Sequence, residues 1–241
     1  MTGRKQLVEI SREDEMALGV QSYRQVLRES AVVSSGETAE QVRDVGRRLA
    51  GKLEKPKEDP GFQWEFNLIR SEQANAFCLP GGKVAVYSGI LPVAQNTNGL
   101  AAIMGHEIAH AIARHGAERM AHQKLVQIGA IATQIATGEM EPEKQRLVMA
   151  ALGLGAQYGL LLPFSREHES EADYMGLMYS ARACFDPREA PKLWVRMGEA
   201  GGGRGPAKFL STHPSHETRI KQLEEWMPEA LKVRQEHCGN N

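Results

Sequence analysis

Several protein classes are excluded by what this chain has little of. Aromatic residues make up only 6% of its 241 positions, while alanine, leucine, glutamate and glycine are plentiful, a balance that favours helix over sheet. The formal net charge is −1 and no long basic run occurs, so nothing points to nucleic acid as a partner. There are three cysteines, Cys78, Cys184 and Cys238, without C-x-x-C spacing, which excludes a zinc ribbon or a thioredoxin motif. They leave two options open, one disulfide of undetermined pairing plus one thiol, or three free thiols. The start, Met1-Thr2-Gly3-Arg4-Lys5-Gln6, has no apolar leader core, so the chain is either cytosolic or trimmed of a signal. The longest apolar stretch, residues 147–162, is shorter than the ~20 residues that span a bilayer and contains Gln157. With residues 128–136 it reads as a buried helical hairpin, membrane contact being the alternative. No internal repeat or low-complexity tail is present.

What remains is a mainly helical chain with one small β region. Ser11 and Asp14 resemble a capping box opening a helix to about residue 28, and a second helix follows from about residue 38 to 52 with Val42, Val45 and Leu49 on one side. A polar, proline-bounded loop leads to two apolar runs around Pro80-Gly81-Gly82, a β-hairpin signal, preceded by the alternating segment 64–69. The expected sheet is small and antiparallel, giving an α+β class. From Asn98, a candidate N-cap, a helix is expected to about residue 124. Further helices are expected over about 165–182 and from Asp186-Pro187 to about 199. A glycine-rich loop then runs past His213-Pro214, and a short helix carrying Arg219, Ile220 and Leu223 closes the chain.

The chemistry centres on His106-Glu107-Ile108-Ala109-His110. Histidines four apart share one helix face, and in the H-E-x-x-H pattern both imidazoles bind one zinc while the glutamate serves as general base. A catalytic zinc needs a third protein ligand and an open position. The following residues, Ala111-Ile112-Ala113-Arg114-His115-Gly116, do not continue as H-x-x-G-x-x-H, so the third ligand is not the metzincin histidine. His115, five on from His110, would point away from the ligand face on a continuous helix. Both it and His122 read as solvated helix histidines. The acidic segment Ser165-Arg166-Glu167-His168-Glu169-Ser170-Glu171-Ala172-Asp173 offers the alternative. Glu169 and Asp173 share a helix face, so one can ligate zinc while the other orients a ligand or a catalytic group. An ordinary acidic helix start is the competing explanation.

His106-Glu107-x-x-His110 followed by Glu169-x-x-x-Asp173 resembles the zinc metalloprotease (gluzincin) family of HtpX, BepA and the CAAX prenyl proteases, nearest to its soluble periplasmic members. Asn75-Ala76-Phe77-Cys78-Leu79-Pro80-Gly81-Gly82 is similar to the family's N-A-F-A-x-P-G-G hairpin, with Cys78 in place of a common alanine. That cysteine is either a chance substitution or a redox-sensitive position. Ser211-Thr212-His213-Pro214, with Arg219, is similar to its late S-T-H-P-x-x-x-x-R element. The resemblance implies a zincin-like core within one metalloprotease domain over residues 1–241, with N-terminal helices to 60, a catalytic core over 61–227 and a tail over 228–241. It implies one zinc per chain bound by His106, His110 and Glu169. Glu107 is the implied general base and Asp173 an acid that orients or donates, plausibly paired with Arg219. His213 either stabilises the oxyanion or fills the fourth zinc position in a latent state. Asn75 lies on an edge strand, 75–79 or 83–87, that can hold an extended substrate.

The implied function is a zinc metalloendopeptidase acting on unfolded or misfolded polypeptides in quality control of the cell envelope. The alternative is a latent or chaperone-like peptide-binding protein with a mainly structural zinc. By the same analogy the expected location is periplasmic or envelope-associated, as a lipoprotein whose signal and N-terminal anchor have been trimmed, rather than cytoplasmic.

Overall fold

The computed structural model describes residues 3–54, 58–136, 141, 143, 164–201, 208–213 and 217–239. In chain order the elements are α1 (Arg12–Arg28), β1 (Val32–Val33), α2 (Glu37–Ala50), β2 (Glu65–Ile69), β3 (Ala76–Leu79), β4 (Lys83–Tyr87), a 3-10 turn (Ser88–Ile90), α3 (Leu91–Ala94), α4 (Thr97–Ile112), α5 (His115–Ala136), α6 (Arg166–Arg182), α7 (Glu189–Gly201), α8 (Lys208–Thr212) and α9 (Glu217–Cys238). The α+β class with a zincin-like core is as expected. The apolar run 147–162 lies outside the described residues. Among the described residues no helix is long and apolar enough to cross a membrane.

α4 is buried along almost its whole length, Glu107 and both histidines included, so it needs partners on every side. It packs against α6, β3, α2 and α7. Its N-cap is Asn96, whose side chain accepts from the Asn98 and Gly99 amides; the expected cap, Asn98, instead accepts from the Asp186 amide. The expected single helix to residue 124 is two helices. Arg114 adopts φ 60° and breaks the run between α4 and α5. Its strained backbone is held by its own side chain, which donates from Nε to Glu15 Oε2 (2.6 Å) and from Nη2 to the Ile10 carbonyl (2.8 Å).

The sheet has the order β1-β2-β4-β3. It is mixed, because β4 pairs parallel to β2 (Glu65↔Lys83 to Ile69↔Tyr87) and antiparallel to β3 (Ala76↔Val86 to Leu79↔Lys83). A simple meander would put β3 beside β2. Val84, Ala85 and Val86 are fully buried, so this strand is apolar on both faces and takes the interior position. β3 is thereby left at the edge. Gly81 and Gly82, at φ 88° and 80°, make the turn between them. The closing helix is long, not short: α9 runs to Cys238 through Pro228, where a tail from residue 228 was expected. A Cys184–Cys238 disulfide ties its end to the end of α6, leaving Cys78 as the free, buried thiol.

α4 and α6 cross at backbone contact. A Cβ on Gly176 would lie 2.7 Å from the His106 amide nitrogen and 2.9 Å from the Gly105 carbonyl carbon, and one on Gly105 would lie 3.0 Å from the Gly176 carbonyl oxygen. Gly176→Ala therefore forces the helices apart at His106. The expected cost is about 1–3 kcal/mol or more, as for other overpacked cores, read as a lowered midpoint in urea unfolding.

Candidate metal centre

Because α4 and α6 touch at Gly105 and Gly176, side chains flanking the crossing meet. His106 and His110 project one turn apart from α4, with Nε2 atoms 3.0 Å from each other. Glu169, in the first turn of α6, places Oε2 3.5 Å from His106 Nε2 and Oε1 3.5 Å from His110 Nε2. Ser165 starts that helix as N-cap, closing a capping box with His168. His213 follows α8, and its Nδ1 lies 3.3 Å from His106 Nε2 and 3.0 Å from Glu169 Oε1. His213, expected on a loop beside the metal, is buried.

These four groups offer ligand atoms all within 4.8 Å of one another and can hold a metal ion. A tetrahedral ion with bonds of about 2.0–2.1 Å would space its N and O ligands by roughly 3.3–3.4 Å, and the separations above run from 3.0 to 3.5 Å. Converging ring nitrogens with a carboxylate are a donor set for a cation. Burial alone would lower the His106 basicity, yet Asp173 and Glu169 outweigh it and raise His106 to about 9. The attraction that holds a proton there also draws a metal, which competes for the same lone pair. Glu169 is held well below the usual carboxylate range: burial opposes ionisation, but His213 and Arg219 more than offset it.

The groups behind the cluster are equally defined. Asp173 Oδ1 is 2.9 Å from His106 Nδ1. Arg219 from α9 donates from Nε to Asp173 Oδ2 and from Nη2 to Oδ1 (2.8 Å), while its Nη1 lies 2.8 Å from Glu169 Oε2. The guanidinium stacks on Trp194, 3.3 Å from the ring centroid. The expected Asp173–Arg219 pair is therefore present. Phe164 stacks on His110 (4.0 Å between centroids) and Phe209 on His213 (4.4 Å), so the cluster sits behind apolar walls.

Glu107 Oε1 is buried without a hydrogen bond, 3.5 Å from His213 Nε2. Burial raises the Glu107 carboxyl above its usual value, against the pull of His213 and His106. Glu107, His110 and His213 line one cavity of ≈ 320 Å³ together with Asn75, Phe77, Cys78 and Leu79 of the edge strand and Leu18, Gly19 and Val26 of α1. The Asn75 carbonyl accepts from the Tyr87 amide (3.0 Å). Burial pushes the Cys78 thiol well up, away from the thiolate that a redox-sensitive site needs.

His115 departs from expectation. It is fully buried, with Nδ1 2.9 Å from His110 Nδ1 and Nε2 3.1 Å from Glu171 Oε2. A continuous helix would turn it away, but the break at Arg114 resets the helical phase and aims its ring back at the ligand. His122, by contrast, is solvated as expected, its side chain 59% exposed. His115, His168, Glu171 and the N-terminal Arg4 are neighbours of the site that the motifs did not indicate. The signal available was the i, i+3 pair His168 and Glu171, a second polar face beside that of Glu169 and Asp173.

The model of Peptidase family M48 matches residues 37–227. The mitochondrial metalloendopeptidase OMA1 of Schizosaccharomyces pombe is 46% identical over 182 residues, covering 72% of this chain and 50% of that protein. The mitochondrial metalloendopeptidase OMA1 of Homo sapiens is 31% identical over 243 residues (98% and 46%). The beta-barrel assembly-enhancing protease of Escherichia coli is 28% identical over 211 residues (86% and 42%). The chain spans about half the length of the curated relatives it matches. These relatives overturn the periplasmic, envelope-associated lipoprotein placement, since those of higher identity are named mitochondrial. With the H-E-x-x-H helix, Glu169 and His213 all inside the matched span, the chain belongs to peptidase family M48.

Proposed function

We propose that the chain is a zinc-dependent metalloendopeptidase that hydrolyses peptide bonds of unfolded or misfolded polypeptides in protein quality control. The observation that carries this is Glu107. It is buried beside the metal-ligand cluster, its Oε1 has no hydrogen bond, and it opens into the cavity bordered by the edge strand. A purely structural metal site has no use for such a base.

His106, His110 and Glu169 would hold the zinc, which when bound supplies the Lewis acidity that polarises a carbonyl and acidifies water. Glu107 accepts a proton from the attacking water at Oε1 and returns it to the leaving amine nitrogen; its raised pKa suits it to hold the proton between those steps. Asp173 accepts from His106 Nδ1, which keeps Nε2 of that ring free for the metal. Arg219 holds Asp173 in place with a two-pronged contact. β3 offers an outer edge to an extended substrate, and Asn75, just ahead of β3 in the cavity lining, would bond its backbone. Recognition through the main chain favours unfolded segments, whose amides are free to pair.

Of the two roles open to His213, its position favours the fourth-ligand one, with Nδ1 inside the cluster. A catalytic zinc keeps one position open, so this arrangement is the latent one and His213 must withdraw for turnover. This observation also favours, as a second reading, a latent peptide-binding protein whose metal is mainly structural.

Casein incubated with the zinc-loaded chain and with Glu107→Gln separates them. The peptidase loses activity by about 10²–10⁴-fold in the variant while retaining zinc; equal cleavage by both, or none by either or by His213→Ala, defeats the peptidase. His213→Ala is expected to cleave casein faster than the parent, and a slower rate would remove the latency role. Arg219→Met leaves Asp173 and Glu169 buried without their counter-charge, so unfolding in urea should show a loss of about 3–5 kcal/mol. Arg219→Lys should restore only part of it, because a lysine cannot form the two-pronged contact.

A further inference from the structure

A metal-binding imidazole is normally oriented by an acceptor on its other ring nitrogen, which fixes both the tautomer and the plane of the ring. For His106 that acceptor is Asp173. His110 has no carboxylate in that position; His115 Nδ1 occupies it, 2.9 Å from His110 Nδ1. On the far side of the same ring, His115 Nε2 lies 3.1 Å from Glu171 Oε2.

One arrangement of protons makes both contacts hydrogen bonds and leaves His110 Nε2 free to ligate. His115 carries its proton on Nε2 and donates it to Glu171, and the Nδ1 lone pair of His115 accepts from the Nδ1–H of His110. Moving the His115 proton to Nδ1 would set a lone pair against the Glu171 carboxylate and drive a proton of His110 toward the metal cluster. The carboxylate therefore determines, through one intervening ring, which nitrogen of His110 faces the metal.

Glu171 is in turn held from outside the family core. Arg4, upstream of the matched span 37–227, donates from Nε to Glu171 Oε2 (2.8 Å) and from Nη1 and Nη2 to both oxygens of Glu118 (2.7 and 2.6 Å). Gln6 donates to the Ala113 carbonyl at the helix break (2.6 Å) and to Glu118 (3.0 Å). One guanidinium thus pairs with two carboxylates beside the relay, the buried Glu118 and the partly buried Glu171.

We propose that His115 and Glu171 are positioning residues for the metal ligand His110, and that Arg4 locks this relay, making the N-terminal segment a determinant of metal affinity. The inference rests on the zinc site proposed above but not on peptidase activity. It is tested in the full chain carrying Glu107→Gln, by competition for zinc against a chromophoric chelator and by the visible absorption of the cobalt-substituted protein, which reports the ligand field directly. His115→Phe, which preserves the ring stacked on His168 (4.5 Å between centroids), and Glu171→Ala should each weaken zinc binding about 10–100-fold and alter the cobalt bands. Arg4→Met should weaken it by about tenfold or less in the same direction, and the solvated His122→Ala should leave it unchanged. The proposal is overturned if His115→Phe and Glu171→Ala keep the parental far-UV circular dichroism, bind zinc within about twofold of the parent and give the parental cobalt spectrum. Should His115→Phe not fold, Glu171→Ala decides by the same two readouts. Casein cleavage by the chain with Glu107 intact is scored separately, so an inactive peptidase whose zinc affinity falls as expected leaves the relay standing.

Discussion

The site depends on the distance of closest approach between α4 and α6. Two glycines, Gly105 and Gly176, let the backbones touch, and that contact brings His106 within reach of both Glu169 and Asp173. A methyl group on Gly176 would lie 2.7 Å from the His106 amide nitrogen and force the helices to shift at that contact. The cluster that could hold a metal, Asp173 and the arginine behind them are consequences of a packing constraint that contains no chemistry of its own.

That closeness creates an electrostatic problem. Glu107, Glu169, Asp173 and Arg219 are all buried, along with three histidines. Burial of isolated charges would be prohibitive, so each must be compensated locally. Arg219 spans Asp173 and Glu169 and rests on Trp194, which accounts for the position of α9 against α6 and α7. Glu107 Oε1 and Glu169 Oε2 are both buried without a hydrogen bond, but Glu169 Oε2 lies 2.8 Å from the Arg219 guanidinium, whereas Glu107 Oε1 lies 3.5 Å from His213 Nε2.

The N-terminal segment extends this logic beyond the family core. α1 forms one wall of the cavity and reaches the helix break through Glu15 and Arg114, while Arg4 reaches the carboxylates behind His115. The first contact holds Arg114, whose left-handed backbone separates α4 from α5. The break at Arg114 thus lies between the cavity wall formed by α1 and His115, which contacts His110.

Much of this was legible in the chain because it is local. The i, i+4 spacing of His106 and His110 places them on one helix face whatever else the protein does, and Ser11, Ser165 and Pro80-Gly81-Gly82 mark element ends by the hydrogen bonds and backbone angles those residues favour. Glu169 was a candidate through the helix face it shares with Asp173 and was assigned as a ligand through the family motif, which alone named the roles of His213 and Arg219. Tertiary structure decided the rest. Strand order followed from β4 being apolar on both faces, which no pairwise hairpin rule weighs. The direction of His115 followed from an arginine in a conformation that costs energy by itself and is held by Glu15, 99 residues earlier. Local propensity assigns faces and ends, but a strained angle or a buried charge is stable only when distant residues compensate it. Those pairings exist only once the chain has folded.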